Sequence, residues 1–412
     1  MIFHVDVNSA FLSWSAIYRL SQGSDQDLRL IPSAIGGDEK SRHGIVLAKS
    51  TPAKVYKIVT GEPLANARKK CPELLVVSPD FSCYVKYSAK LMNILKEYTE
   101  KVQQYSIDEA FMDMAGTENL YGDPVEFANQ LRERIKNELG FTVNVGISTN
   151  KLLAKMASDF EKPDKVHTLY PEEISVKMWP LPVEELFFVG KATSAKLHNM
   201  GIHTIGELAH MDLQIMKSHL KKQGEVIWNF ANGRAASSMF ENRTERKGYG
   251  NSTTLAQDVT DAETAKLILL SLTETVAARL RAAGKKAVCI AVQVTTAEFQ
   301  DMSHQMTLPS ATDATAELYQ SVCSLFDELW KQEPLRLLGV TASKTEEETY
   351  HQYGLFDDQY EKHTKLDQAI DQIRGKFGED SVMRACFLGS GQKHMTGGIN
   401  KVKRQKNQEK KD

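Results

Sequence analysis

"YSIDEAF", residues 105–111, sets Asp108 directly beside Glu109 inside a stretch that otherwise has the character of a strand. Successive side chains of a regular strand point to opposite faces, and neighbouring carboxylates repel, so structure alone gives the pair little reason to exist. The pair predicts two half-strands meeting at a bend, with positive charge beside it. Working outward, Tyr84, Tyr87, Leu91, Ile94, Leu95, Tyr98 and Val102 recur at spacings of three and four, which predicts an amphipathic helix over 80–102. On the other side, Asp123 and Pro124 start a helix with Phe127, Leu131, Ile135 and Leu139 on one stripe, and Gly140 ends it. "FTVNVGIS", 141–148, then alternates as a strand. At the chain start "IFHVDV", 2–7, alternates as well, and Asn8 or Ser9 can cap a helix over 10–20. Residues 1–165 thus predict an α+β unit with at least three strands, interrupted over about 20–75 by a weaker pattern that suits an inserted subdomain. Asp6 falls at a strand end just before a helix, a position that suits either a helix cap or a functional carboxylate.

The remaining chain reads as further domains, as 412 residues exceed what one ordinary core organises. Composition, with 42% hydrophobic and 25% charged residues, is that of a soluble globular protein. "MIFHVDVNSAF" turns polar too early for a signal peptide and no run of about 18 apolar residues follows, so a cytoplasmic protein without membrane contact is expected. The five cysteines form no CxxC pair, which argues against a disulfide framework or a zinc site. A net charge of −2 does not advertise a polyanionic partner, yet segregated charges can hide a dipole. The tail from Lys393 to Asp412 holds seven Lys/Arg against two acids, which suits a solubilising extension or a contact with a partner or nucleic acid.

Residues 170–235 are mostly helical around "FFVGKATSAKLHNMGIHTIGEL", 187–208, two short helices joined by a glycine hairpin. Such a turn can offer backbone N–H groups to a phosphate oxygen or can simply pack as a helix pair. "NGRAASSMFENRTERKG", 232–248, is polar, carries Arg234, Arg243, Arg246 and Lys247, and predicts an interdomain linker. From 247 to 343 the pattern spells β-α-β-β-α-β, a second α+β domain: strands at 251–259, 286–295, 302–308 and 335–343 with helices over 262–283 and 312–330. A last helix is predicted over 365–377.

Asp6, Asp108 and Glu109 therefore stand at strand ends of one domain. On neighbouring strands they would form a cluster that needs cations, and hard oxygen ligands of this kind suit Mg²⁺, two ions serving phosphoryl transfer being the simplest use. In "NKLLAKMASDFEKP", 150–163, Lys151, Lys155 and Lys162 fall within about 40° of one another on a helix, opposite Leu152, Leu153, Met156 and Phe160. That lysine face is either a solvated surface or, beside a carboxylate cluster, a clamp for a triphosphate.

"HVDVNSAF", "YSIDEAF", "GISTNKLLAKMASDFEKP", "VGKATSAKLHNMGIHTIGEL" and "PLRLLGVTAS", in that order over residues 1–345, resemble the Y-family DNA polymerases, the DinB and UmuC group that copies past damaged templates. The resemblance implies an α+β right-hand polymerase: a palm at 1–18 and 76–166, small fingers at 19–75, a helical thumb at 167–235 with a helix-hairpin-helix, a linker at 236–246, and a β-α-β-β-α-β little finger at 247–345. It implies two Mg²⁺ ions held by Asp6, Asp108, Glu109 and the Val7 carbonyl, with Phe11 as a steric gate against the 2′-OH and Lys162 on the incoming triphosphate. Gly190, Lys191 and Gly201 of the hairpin, with Arg243 and Arg246 of the linker, are the expected DNA contacts. Beyond the little finger, residues 346–412 hold "HQYGLFDD", whose Gln352, Leu355 and Phe356 resemble the peptide that docks bacterial polymerases on the sliding clamp. The expected partners are primer–template DNA, dNTP and the clamp, bound by a monomer.

Two departures stand out. Where the family commonly shows a Tyr and an Arg on the triphosphate, this chain has Thr51 and Lys54, so the bidentate contact is lost. Asn8 stands where many members have a second Asp. The implied activity is template-directed, low-fidelity DNA synthesis without proofreading. The competing readings are a non-catalytic DNA- or clamp-binding paralogue, against which all three carboxylates and Lys162 speak, and a diguanylate cyclase-like enzyme suggested by "IGGDEK", 35–40, which lacks the terminal Phe and lies outside the palm strands.

Overall fold

The computed structural model describes residues 1–38, 42, 44–235, 246–347, 358–392 and 394–395. Its chain divides into two compact units, Met1–Gly36 with Ile45–Arg243, and Gly37–Gly44 with Thr244–Asp412.

In the first unit the order is β1 (Ile2–Val7), α1 (Ala10–Ser21), β2 (Ser33–Gly36), β3 (Val46–Lys49), α2 (Thr51–Val55), α3 (Leu64–Lys70), β4 (Leu75–Val77), α4 (Phe81–Lys96), β5 (Val102–Gln104), β6 (Glu109–Asp113), α5 (Glu118–Tyr121), α6 (Pro124–Leu139), β7 (Val143–Ser148), α7 (Lys151–Asp159) and β8 (Val166–Thr168). The helical stretch that follows contains α8 (Lys191–Asn199), α9 (Ile205–His210) and α10 (Leu213–Ala231). One sheet has the order β5-β6-β1-β7-β8, with β1 antiparallel to both neighbours, and a smaller one the order β3-β2-β4. The small sheet has its own core of Ala34, Val46, Ala53, Ile58, Leu64 and Ala67.

All six residues of β1 are buried, because the central strand is covered on both faces. Phe3, Val5 and Val7 enter a core with Leu91 and Leu95 of α4 and Phe127, Leu131 and Ile135 of α6. The alternate residues Ile2, His4 and Asp6 face α7, where Ile2 packs with Phe111 and Ala154. The approach of α7 requires Gly146 on β7: a Cβ there would lie 2.0 Å from the Ala154 carbonyl oxygen and 2.4 Å from the Ser158 nitrogen. Leu152, Leu153 and Met156 of α7 pack outward against Leu169, Ile174 and Met178.

Element ends differ from the periodicity in places. The helix over 80–102 stops at Lys96, and Val102 opens β5. Tyr98 still reaches the core, but the Thr99 hydroxyl donates to the Asp113 carbonyl at 2.9 Å and turns the chain into the sheet. Ser9 is the N-cap of α1 but adopts a left-handed conformation, φ 47°, without a side-chain cap bond. Asn8 sends its side chain across the sheet instead. Asp123, by contrast, caps α6 through bonds from Val125 and Glu126, and Gly140 ends it at φ 78°.

The second unit holds β9 (Gly248–Val259), α11 (Ala262–Ala282), β10 (Lys285–Thr296), β11 (Asp301–Thr312), α12 (Thr315–Leu329) and β12 (Leu335–Glu347), the expected β-α-β-β-α-β order, in an antiparallel sheet β11-β10-β12-β9. The helix expected at 365 begins at Asp358, as α13 (Asp358–Phe377). It docks through its polar face: Arg281 of α11 binds Asp367 and Asp371, Arg374 binds the equally buried Glu274 at 3.0 Å, and Asp367 accepts from the first N–H of α12 at 2.7 Å. Gln352, Leu355, Phe356 and Arg243 lie outside the described residues. No helix among those described is long and apolar enough to cross a membrane.

Gly146→Ala tests the helix–sheet contact. Forcing α7 away should lower unfolding free energy by about 1–3 kcal/mol, read as a shifted urea midpoint. An unchanged midpoint would show that the close approach is not needed.

Candidate active site

The β1/β6 register sets Asp6 directly opposite Glu109, so the two side chains share the α7 face of the sheet. Asp108 occupies the bend, where its main-chain oxygen accepts from Val7 N at 3.1 Å and its carboxylate from the Ser106 hydroxyl at 2.5 Å. The expected half-strands are β5 and β6, and the carboxylates sit where one ends and the other begins.

Two lysines answer the carboxylates. Lys155, on α7, donates to Glu109 Oε2 at 2.9 Å, and Lys162 pairs with Asp6 and, at 2.7 Å, with Asp159. Burial alone would push the Glu109 pKa up, but the nearby His4 ring and the bond from Lys155 outweigh it and hold the group at about 2. Asp6 is only 6% exposed, and there burial dominates over Lys162, so its pKa lies above the ordinary value. Burial also opposes the Lys162 charge, yet Asp6 and Asp159 raise its pKa to about 12. The two facing carboxylates thus differ in proton affinity because their surroundings differ.

His4 was not among the expected site residues. It is fully buried, its Nδ1 lies 2.8 Å from the Ser158 hydroxyl of α7, and its Nε2 lies 3.6 Å from Glu109 Oε2. The signal for it is a polar residue at an inward strand position two places before Asp6.

The single lysine face does not survive. α7 ends at Asp159, so Lys162 reaches Asp6 from the following turn. Lys151 is buried, donates to Gln103 and lies 5.3 Å over the Phe111 ring, and burial pushes its pKa down to about 8. Only Lys155 and Lys162 reach the carboxylates.

A pocket of about 200 Å³ opens at the end of β1, lined by Val7, Asn8, Thr51, Lys54, Lys162 and Arg29 among others. Thr51 and Lys54 come from α2, whose N-cap Ser50 accepts from Ala53 N at 3.1 Å. Arg29 is a wall residue that sequence reasoning passed over, and its guanidinium is committed to Asp27 and the Gly140 carbonyl. Phe11, the second residue of α1, stacks on Tyr84 with ring centroids 4.5 Å apart. Gly190 is the N-cap of α8, Lys191 its first residue, and Gly201 turns the chain at φ 77° toward α9. Arg246, in the second unit, lies 6.0 Å over the Tyr249 ring.

The donors at this strand end, two facing carboxylates and the main chain of Val7, are hard oxygens, the set that suits Mg²⁺. As the side chains stand, no three His, Cys, Asp or Glu among the described residues converge closely enough to hold a metal ion. Lys162, Lys155 and Ser106 occupy the carboxylate oxygens that such an ion would use.

Family comparison matches residues 5–159 to the impB/mucB/samB family, 246–355 to its C-terminal domain, and 185–234 to the DNA polymerase-iota thumb domain. The DNA polymerase IV of Clostridium acetobutylicum is 51% identical over 390 residues, 94% of this chain and 98% of that protein. That of Acetivibrio thermocellus is 37% identical over 94% and 97%, and the DNA polymerase IV 2 of Bacillus subtilis 36% over 94% of each. Among solved structures, the Y-family DNA polymerase chimera Dbh-Dpo4(243-245)-Dbh matches with a TM-score of 0.72 at 20% identity, covering 83% of this chain and 98% of its own, which identifies the α+β right-hand polymerase fold. Similarity this close, over nearly the full length of both partners, makes the chain a member of the Y family of DNA polymerases, of the DinB or DNA polymerase IV type.

Proposed function

We infer that the protein is a DNA-directed DNA polymerase that extends a primer past damaged template bases, with Asp6, Asp108 and Glu109 as its catalytic carboxylates. The observation that carries the site assignment is the facing pair Asp6 and Glu109, each neutralised by its own lysine, one of which, Lys162, also lines a pocket with Thr51 and Lys54. Members of this family require a divalent metal, and the oxygen donors here favour two Mg²⁺ ions held by the three carboxylates and the Val7 carbonyl. When bound, they supply a more acidic 3′-hydroxyl and charge neutralisation at the triphosphate and the leaving oxygen.

The chain's own groups do the rest. Lys162 exchanges Asp6 for a phosphate oxygen, and Lys54 and Thr51 add one point charge and one hydrogen bond from the fingers side. Phe11, braced by its stack on Tyr84, presents an aromatic edge where a ribose 2′-OH would come. The primer 3′-oxygen bonds to the α-phosphorus and the bond to pyrophosphate breaks. In this reading the five-stranded sheet is the palm, the small sheet the fingers, residues 167–235 the thumb and residues 247–345 the little finger. Gly190, Lys191, Gly201, Arg243 and Arg246 contact the DNA backbone. Gln352, Leu355 and Phe356 dock a monomer on the sliding clamp in the cytoplasm.

Three measurements test this. Asp108→Ala should slow primer extension about a thousandfold, as expected for several kcal/mol of lost transition-state stabilisation, and parental rates would refute the carboxylate assignment. For the gate, Phe11→Ala should change the dNTP/rNTP preference about 10–200-fold with dNTP use retained, whereas unaltered sugar discrimination would place the gate elsewhere. Replacing Leu355 and Phe356 by Ala should weaken clamp binding at least tenfold while distributive synthesis persists, and equal affinity would move the docking site.

A further inference from the structure

Between the end of α7 at Asp159 and the start of β8 at Val166 runs the turn that carries Lys162. Two asparagine side chains hold it. Asn144, wholly buried in β7, donates through Nδ2 to the carbonyl oxygens of Ser158 at 3.0 Å and Glu161 at 2.7 Å. Its Oδ1 accepts from Lys165 N at 3.3 Å and from Asn8 Nδ2 at 3.1 Å. Asn8, 8% exposed, in turn accepts at Oδ1 from Asp164 N at 2.9 Å. The main chain of residues 161, 164 and 165 is thus fixed from inside by two carboxamides. From outside, Arg132 and Lys136 hold the Asp164 carboxylate at 2.5 and 3.2 Å.

We propose that Asn8 and Asn144 are positioning residues which set where the Lys162 ammonium meets the incoming nucleotide, and that residue 8 must be an amide for this. The chemistry of the pair enforces the choice. Two main-chain carbonyls consume the donors of Asn144, so the atom it turns toward residue 8 is its oxygen. Residue 8 must therefore donate there while accepting from Asp164 N, and a carboxamide does both. An ionised aspartate accepts only, and would set an unbonded oxygen against Asn144 Oδ1 in a buried site. Asn8 and Lys162 line the same pocket, so a shift of the turn is felt at the substrate. The inference rests on the reading of Lys162 as a triphosphate contact.

The test uses the full-length protein with primer–template, dNTP and Mg²⁺. Asn8→Asp is made alone and in a Lys162→Ala background, with hydrogen exchange of the segment 161–165 followed in the protein without substrate. Asn8→Asp should raise the dNTP KM about tenfold, with kcat changed less, and speed exchange of the segment. In the Lys162→Ala background the same change should move KM less than about twofold, because effects that act through one residue do not add. Asn8→Ala, which removes the bonds without burying a charge, should move both readouts the same way by less. Equal KM effects in the two backgrounds, or unchanged exchange in both variants at position 8, would overturn the proposal. If Lys162→Ala alone leaves KM unchanged, the triphosphate reading falls and takes the substrate half of the proposal with it. The exchange data would then still decide whether Asn8 holds the turn.

Discussion

Like charges on adjacent strands are the constraint around which the first unit is organised. Two carboxylates about 5 Å apart repel by about 3 kcal/mol at an effective dielectric of about 20, and burial adds to the difficulty. Asp6 and Glu109 face each other in that way, and the fold answers with one ammonium for each, delivered from different places. Lys155 arrives on α7, which must lie flat on β1 and β7 to reach Glu109, and His4 and Ser158 fix that contact. Lys162 arrives on a turn that the sheet itself grips through Asn144. Helix, turn and strand residues are all placed by the need to neutralise one pair. The same need makes the pair useful, because carboxylates held by exchangeable cations can be offered to a metal and a polyphosphate.

What the sequence makes legible follows from how local each cause is. The β-α-β-β-α-β order of 248–347 can be read because every element there is long and patterned over its own length. α6 can be read to the residue, since Asp123 and Gly140 act within one turn of its ends. The end of α7 cannot: the apolar spacing runs on through Phe160, which does pack inward, but Asn144 captures the Glu161 carbonyl from 17 residues away and the helix stops. Lys151 fails for the same reason, its helical angle matching Lys155 while Gln103 and Phe111 draw it beneath the sheet edge. The nearness of Asp6 and Glu109 was legible because adjacent or strand-end carboxylates are costly anywhere else. The partners of His4, Asn8 and Asn144 were not, since a single polar residue carries no sign of which distant residue it meets.

The C-terminal part of the second unit inverts the usual helix arrangement. α13 turns Asp367, Asp371 and Arg374 toward α11 and α12, while Leu366, Ile373 and Phe377 are exposed. Its attachment depends on charge geometry, and the Arg374–Glu274 pair is buried deeply enough that salt screens it little. Removing Glu274 would leave the buried Arg374 charge without its carboxylate, whereas Glu274 would keep Arg384 if Arg374 were lost.

Gly146 gives the active-site architecture an unusual vulnerability. Most positions in a core tolerate a trade of one side chain for another of like volume, so a lineage can drift through alternatives. Here the tolerance is one-sided, since the neighbouring Ala154 and Ser158 main chain already occupies the space where any side chain would begin. The geometry of the candidate site is therefore hostage to the absence of a single carbon atom, and a random change at this codon can only subtract from it.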